Sequence, residues 1–323
     1  MMETSDKVGF SALDREIPLV ARPLVAGIQL STWLKANMAL IDRRLQEHGA
    51  ILFRGFEPMG LEEFEAVVKA ISPEPLQYLY RSTPRSLVGD RIYTATEYPP
   101  NHSIPLHNEL AYQRSWPLRL ILFCVQPAET GGETPIASTL RVTDRIDSDV
   151  KRKFEETGVM YVRNYEAGPD LSWQTVFQTS DQKEVEQYCR THDIEYQWKN
   201  RETLRTRQVC QAIALHPTRR EDVWFNQAHL FHISSLGEST CRALLKIYRE
   251  EDLPRNAYYG DGSKIEDAVL EHIRNAYSSE AVCFTWTAND VLLLDNMLVS
   301  HARNPYKGKR QVLAAMTDRY AGG

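Results

Sequence analysis

The feature that most constrains the fold is a short apolar run, LRLILFCV, at residues 118–125, interrupted only by Arg119. It is too short for a core helix, rich in β-branched and aromatic residues, and has no polar alternation. Those properties predict a central strand buried on both faces. Similar short runs follow along the chain: VMYVRNY, QVCQAIAL, VWF, CFTW, VLLLD, MLVSHA and QVLAAMT. Between them lie stretches with helical spacing. In residues 31–48, Leu34, Met38, Ile41 and Leu45 recur every three to four positions, and Gly49 supplies a stop. GLEEFEAVVKAIS and KIEDAVLEHIRNAY read the same way, as do 143–157, 182–191 and 238–250. Residues 77–106 are turn-rich, with Pro84, Pro99, Pro100 and Pro105. Many short strands framed by helices predict a mainly β protein with helical insertions. The expected arrangement is a jelly-roll-like double sheet rather than strictly alternating strands and helices. No repeat, linker or shift in composition divides the 323 residues, so one domain over 1–323 is expected, with its core at about 48–320.

Charge and cysteine usage narrow the function classes. The chain has 38 basic and 43 acidic residues, a net charge of -5, and no basic block longer than the stretch at 307–310. Nucleic-acid binding needs clustered Lys and Arg, so it is not expected. No apolar run approaches the ~20 residues of a membrane helix. Cys124, Cys189, Cys210, Cys241 and Cys283 are odd in number and contain no CxxC, a pattern of reduced thiols. The opening MMETSDKVGF lacks the basic-then-apolar pattern of a signal peptide, and a cytoplasmic location is expected.

The candidate chemistry starts at His107-Asn108-Glu109. On a strand, residues two apart share a face, so both side chains can reach one metal ion. With nine histidines and 43 acidic residues, about one such pair arises by chance, and a surface His beside a Glu explains it equally well. Three further residues alter the balance. His301, on the run MLVSHA, would complete two imidazoles and one carboxylate, the facial triad of non-haem Fe(II) enzymes. Arg310, nine residues on, can pair bidentately with a carboxylate. Thr134 follows Gly131-Gly132, where the backbone can approach closely and the hydroxyl can donate. Taken singly, each has a plain reading: a strand-end histidine, a solvated arginine, an ordinary Gly-Gly turn. No HExxH helix is present, so metalloprotease chemistry has no basis.

Together, His107-Asn-Glu109, the GGETPIA segment, and His301 with Arg310 resemble the taurine dioxygenase (TauD/TfdA-like) superfamily of Fe(II)/2-oxoglutarate-dependent oxygenases. TEYPPNHSIPLHNELAY, the following WP and WFNQAHLFH resemble the branch containing the aspartate hydroxylase of syringomycin biosynthesis and its counterparts in nonribosomal-peptide clusters. The resemblance spans about 48–320. It implies a double-stranded β-helix, a cupin-like jelly roll. It also implies that His107, Glu109 and His301 are iron ligands and catalytic, and that Arg310 and Thr134 hold 2-oxoglutarate, with dioxygen as co-substrate. Glu109 stands where the taurine enzyme has Asp, as in amino-acid oxygenases. Ala314 stands where that enzyme has a substrate-binding arginine, so a sulfonate substrate is not expected. Related halogenases lack the carboxylate ligand, so its presence here implies hydroxylation.

The substrate implied is an amino acid, free or tethered to a peptidyl carrier protein. In that setting Arg85 is a candidate for a substrate carboxylate and Glu97 for an α-amine. Ser103 and Asn226, with Trp224 and Phe225, are candidates to line the pocket, each with a structural role as its alternative. His229 and His232 are read as structural. Two other functions are carried forward: the same iron chemistry ending in desaturation or another oxidation of a free small molecule, and a jelly-roll binding protein without catalysis.

Overall fold

The computed structural model describes residues 7–13, 16–165, 170–200 and 202–321. The run at 118–125 lies within the strand Ser115–Gln126, in the middle of an eight-stranded sheet. Val291–Asp295 and Gln311–Ala321 flank it, both antiparallel. Alternate residues explain why the central stretches of these strands are apolar on both faces. Leu120, Leu122, Leu292, Leu294, Ala314 and Met316 enter one core cluster. Ile121, Phe123, Val291, Leu293, Leu313 and Ala315 enter a second on the opposite face.

The second face is covered by two helices, Leu30–His48 and Leu61–Ile71. They contribute Trp33, Leu34, Ile41 and Leu45, and Phe64, Val67 and Val68. Each such buried side chain is worth roughly 1.5–3 kcal/mol of burial free energy. The first helix stops at Gly49, left-handed at φ 72°, whose N–H bonds the Leu45 carbonyl.

The first face looks toward a three-stranded sheet of Ile104–His107, Val299–Arg303 and Ile136–Ser138, with Val299–Arg303 central. Ile136, Ala137 and Val299 share a core cluster with the inner residues of the large sheet. These two sheets are the walls of the jelly roll. A four-stranded sheet, Glu195–Trp198, Leu204–Cys210, Val159–Tyr165 and Arg255–Tyr259, is built from the central insertions.

Several expectations need correction. CFTW is not a strand: Val282 makes one isolated bridge to Ile136, and Trp286 turns inward to Thr134. The helix expected at 143–157 is two, Thr139–Arg145 and Ser148–Thr157, the first capped by the Ser138 hydroxyl. The helix expected at 238–250 ends at Ile247. Strands Val8–Ala12 and Leu19–Pro23 extend the large sheet upstream of residue 48. All five cysteines are free, with Cys124, Cys189 and Cys210 buried. Among the described residues, no helix is long and apolar enough to cross a membrane.

Candidate metal centre

Strand pairing brings the three candidate ligands together. His301 lies opposite His107 on one neighbouring strand and Ile136 on the other. The two imidazoles have centroids 4.4 Å apart, and Glu109 Oε2 lies 3.8 Å from His301 Nε2. One ligand atom from each residue falls within 4.8 Å of the others. Glu109 and His301 are buried.

The surroundings prepare these groups as ligands. His107 Nδ1 lies 2.8 Å from the Pro105 carbonyl. A carbonyl can only accept, so Nδ1 carries the proton and Nε2 keeps its lone pair. Burial pushes the His107 pKa down despite the nearby Glu109 carboxylate. Burial, with the His107 and Arg85 charges, pushes His301 well below the ordinary histidine value. Both imidazoles are therefore neutral at neutral pH, the form that binds a metal. His301 Nδ1 is buried without a hydrogen-bond partner. Two neutral imidazoles and one carboxylate whose ligand atoms lie within 4.8 Å of one another fit an Fe(II) ion.

The backbone of the triplet is held by residues that sequence reading missed. Asn296 Oδ1 accepts from Glu109 N, while its Nδ2 donates to the Glu109 and Pro117 carbonyls. Asn108 Nδ2 donates to the Asn296 carbonyl, and Gln227 Nε2 donates to the Asn108 carbonyl. Asn296 directly follows the strand VLLLD, so a buried amide between two strand runs was the one available clue.

Thr134 lies two residues from Gly132, the residue that Arg310 contacts. Residues 132–136 run alongside 301–305: Gly132 N bonds the Pro305 carbonyl, and Ala302 N the Pro135 carbonyl. Thr134 is 2% exposed and its hydroxyl accepts from Trp286 Nε1 at 2.9 Å, which leaves its own O–H free to donate. Arg310 Nε donates to the Gly132 carbonyl at 2.9 Å. Burial, then the Arg303 charge, pulls the Arg310 pKa down to about 10. No carboxylate among the described residues lies within ion-pair distance of Arg310. A largely buried guanidinium on the Gly132 carbonyl, and a hydroxyl donor two residues along the same segment, match the needs of a carboxylate.

The substrate candidates separate. Arg85 is buried at the metal centre, its Nη2 2.6 Å from Glu109 Oε2. Glu97 is exposed and its carboxylate accepts from the Thr94 hydroxyl within its own loop. Ser103 is exposed. Asn226 is fully buried, but its amide donates to the Ala212 carbonyl and accepts from Ala228 N. The structure therefore brings Arg85, and not the other three, to the triad. Trp224 packs on Phe154 and Phe225 on Trp116, both as core. His229 donates through Nε2 to the Leu106 carbonyl, and His232 caps the 3-10 turn that begins at Ile233. Ala314 is buried in the large sheet opposite Leu122 and Tyr93.

A dapdiamide synthesis protein of Enterobacter agglomerans is 41% identical over 308 residues, 92% of this chain and 94% of the relative. A clavaminate synthase-like protein of Arabidopsis thaliana is 30% identical over 311 residues, covering 93% and 89%. In structure, the chain resembles PvcB of Pseudomonas aeruginosa, at TM-score 0.56 and 14% identity over 96% of this chain and 91% of that one. PvcB is described as an Fe, alpha-ketoglutarate dependent oxygenase from an isonitrile synthetic pathway. A taurine dioxygenase of Burkholderia xenovorans aligns at TM-score 0.54 and 15% identity, covering 98% and 90%. These structural likenesses carry the jelly-roll fold. Residues 15–317 match the model of the taurine catabolism dioxygenase TauD, TfdA family; the chain belongs to that family, and is an Fe(II)/2-oxoglutarate-dependent dioxygenase.

Proposed function

We propose that this enzyme hydroxylates an unactivated C–H bond of an amino acid, free or carried as an aminoacyl group on a peptidyl carrier protein. The setting proposed is cytoplasmic secondary metabolism of the nonribosomal-peptide or antibiotic kind. The observation that carries the reading is the convergence of His107, Glu109 and His301 within 4.8 Å, with the carboxylate ligand retained. The 41% identity to a dapdiamide synthesis protein supports a biosynthetic role.

In this reading His107 and His301 bind Fe(II) through neutral imidazole nitrogens and Glu109 through its carboxylate. Arg310 pairs with the distal carboxylate of 2-oxoglutarate, and the Thr134 hydroxyl donates to it. When bound, the iron with 2-oxoglutarate and dioxygen supplies the oxidising power, at the expense of oxidative decarboxylation of the co-substrate to succinate. Asn296 and Asn108 fix the ligand-bearing backbone. Phe284 and Trp286, both buried, keep the co-substrate end of the site dry.

The test is anaerobic. Fe(II) and 2-oxoglutarate added to the purified protein give a visible charge-transfer band that weakens in Arg310→Ala and is lost in Glu109→Ala. Amino acids, free and carrier-bound, are then screened by succinate release and by mass spectrometry for the gain of one oxygen. Absence of both band and bound iron in the wild type would overturn the reading.

A further inference from the structure

Four arginines, Arg81, Arg85, Arg163 and Arg255, lie in or against the segment from Tyr78 to Arg85, and among the described residues they pair with two carboxylates, Glu109 and Asp170. Arg255 binds Asp170 through two nitrogens, at 2.7 and 2.5 Å, and also donates to the Ser82 carbonyl. Arg85 binds Glu109 through Nη2 alone. Arg81 reaches only the Arg85 carbonyl, and Arg163 only the Arg81 carbonyl. Five guanidinium nitrogens, Nε of Arg81 and both Nε and Nη1 of Arg85 and Arg163, are buried without a partner. Arg163 is 1% exposed and no carboxylate of the described residues lies within ion-pair distance of it. Its neighbours are the rings of Tyr80 and Tyr165, at 5.2 and 4.9 Å. Arg81 and Arg85 both lie over the Tyr78 ring, at 5.5 and 4.8 Å.

Aromatic faces offset part of the cost of burying a cation, but they accept no N–H in the guanidinium plane. A buried charge without a counter-ion is strongly unfavourable, and each unsatisfied donor adds to that. Arg163 is such a group, and Arg85, joined to it through one loop and paired with Glu109 through Nη2 alone, keeps two donors unsatisfied; the set is complete only with an anion. The planar fork of donors suits a carboxylate, which it binds through two parallel hydrogen bonds.

We infer that Arg85 and Arg163, with Arg81 between them, form a receptor for a carboxylate of the substrate, separate from the Arg310 site for 2-oxoglutarate. This rests on the proposed oxygenase reading and sharpens its substrate class. An aminoacyl group tethered as a thioester has lost its α-carboxylate, so the receptor selects a free amino acid or one with an acidic side chain.

The experiment uses the full chain loaded anaerobically with Fe(II) and saturating 2-oxoglutarate, which fills the Arg310 site. Acetate is titrated at constant ionic strength, with acetamide as the neutral control and inorganic phosphate as the alternative anion. Melting temperature and the charge-transfer band are read. Acetate is expected to raise the melting temperature and acetamide to leave it unchanged. Arg163→Met is expected to melt above wild type without anion, since an unpaired buried charge is gone, and to bind acetate at least about tenfold more weakly. Arg85→Gln removes the other half of the receptor, and it too must lose the acetate response. An Arg163→Met protein that is destabilised yet keeps the full acetate response would make Arg163 structural and overturn the receptor. So would an unchanged response in Arg85→Gln, or a response to phosphate alone. A normal charge-transfer band without any acetate effect would remove the receptor and leave the oxygenase standing. Loss of the band with the acetate effect intact would do the reverse.

Discussion

The side-chain amide of Asn296 grips both ends of one residue: its Oδ1 accepts from Glu109 N at 2.7 Å and its Nδ2 donates to Glu109 O at 2.9 Å. Neither of the two peptides that flank the Glu109 Cα can rotate without breaking one of these bonds. Asn296→Ala leaves the Glu109 N–H and the Glu109 and Pro117 carbonyls unpaired in a buried site, at about 1–3 kcal/mol for each group. The expected result is a loss of at least about 3 kcal/mol in urea unfolding and metal affinity about 10–100-fold weaker. Asn296→Asp keeps the acceptor but loses the donors, so it should fall between. Wild-type metal affinity in Asn296→Ala would mean that Glu109 is placed by other contacts.

The two glycines before Thr134 make different predictions. A Cβ on Gly131 would sit 2.2 Å from the Pro305 carbonyl oxygen, backbone against backbone, at φ +71°. Nothing there can yield, because that carbonyl also receives Gly132 N. Gly131→Ala should cost about 3 kcal/mol or more in unfolding free energy. A Cβ on Gly132 meets the Arg310 side chain at 3.0 Å, and a side chain can move aside. Gly132→Ala should cost about 1–2 kcal/mol through its φ of +73° and weaken 2-oxoglutarate binding about tenfold by displacing Arg310. Equal effects of the two substitutions on stability would contradict this assignment.

Thr134 is asked to donate one hydrogen bond and accept another. Thr134→Val keeps the shape but removes the acceptor for Trp286 Nε1 and the donor proposed for 2-oxoglutarate. Titration of the anaerobic Fe(II) chelate should give a 2-oxoglutarate dissociation constant raised by roughly tenfold, the value of one hydrogen bond to a charged group. Thr134→Ser should restore most of it. A valine variant that binds the co-substrate like wild type would assign Thr134 to packing alone.

These sites differ in how far they could be read before the fold was known. His107 and Glu109 are two residues apart, which predicted one strand face; in fact the strand ends at His107, and Glu109 reaches the centre from the turn that follows, where Asn296 holds it. His301 is nearly two hundred residues away, and only its pairing across from His107 and Ile136 brings it in. LRLILFCV and VLLLD were legible as buried strands because a two-sided core leaves no polar position away from their charged ends, Arg119 and Asp295. CFTW was misread for a related reason: Phe284 and Trp286 are buried and apolar, but they pack from an irregular segment, and periodicity cannot tell the two apart. Strand Ile104–His107 was hidden by Pro105, which an edge strand tolerates. Glu97 was a plausible amine-binding residue by charge, yet the loop turns its carboxylate to Thr94. Asn296, Asn108 and Gln227 act through backbone groups of distant residues, and such partners leave no local pattern.

His229 ties the acid sensitivity of the fold to the ligand-bearing strand. Its ring is buried, stacks on Tyr277 at 4.7 Å and donates to the carbonyl of Leu106, the residue before His107. Burial pushes its pKa down to about 4, against a partial rise from the Leu106 bond and a further lowering by the Arg274 charge. In the unfolded chain the value returns to about 6.5. Between those limits the unfolded state binds more protons than the folded one, so stability falls as pH drops from 6.5 toward 4. Above pH 6.5 both states are neutral and the contribution is constant. The gap amounts to about 3 kcal/mol for this one group. His229→Gln retains a donor for the Leu106 carbonyl but cannot take up a proton. Urea unfolding of the metal-free protein from pH 7 to 4.5 should therefore show a steeper loss in wild type than in His229→Gln. The two profiles should differ by nearly one proton per molecule near pH 5. Parallel profiles would mean that the buried histidine takes up its proton in the folded state at the ordinary pH.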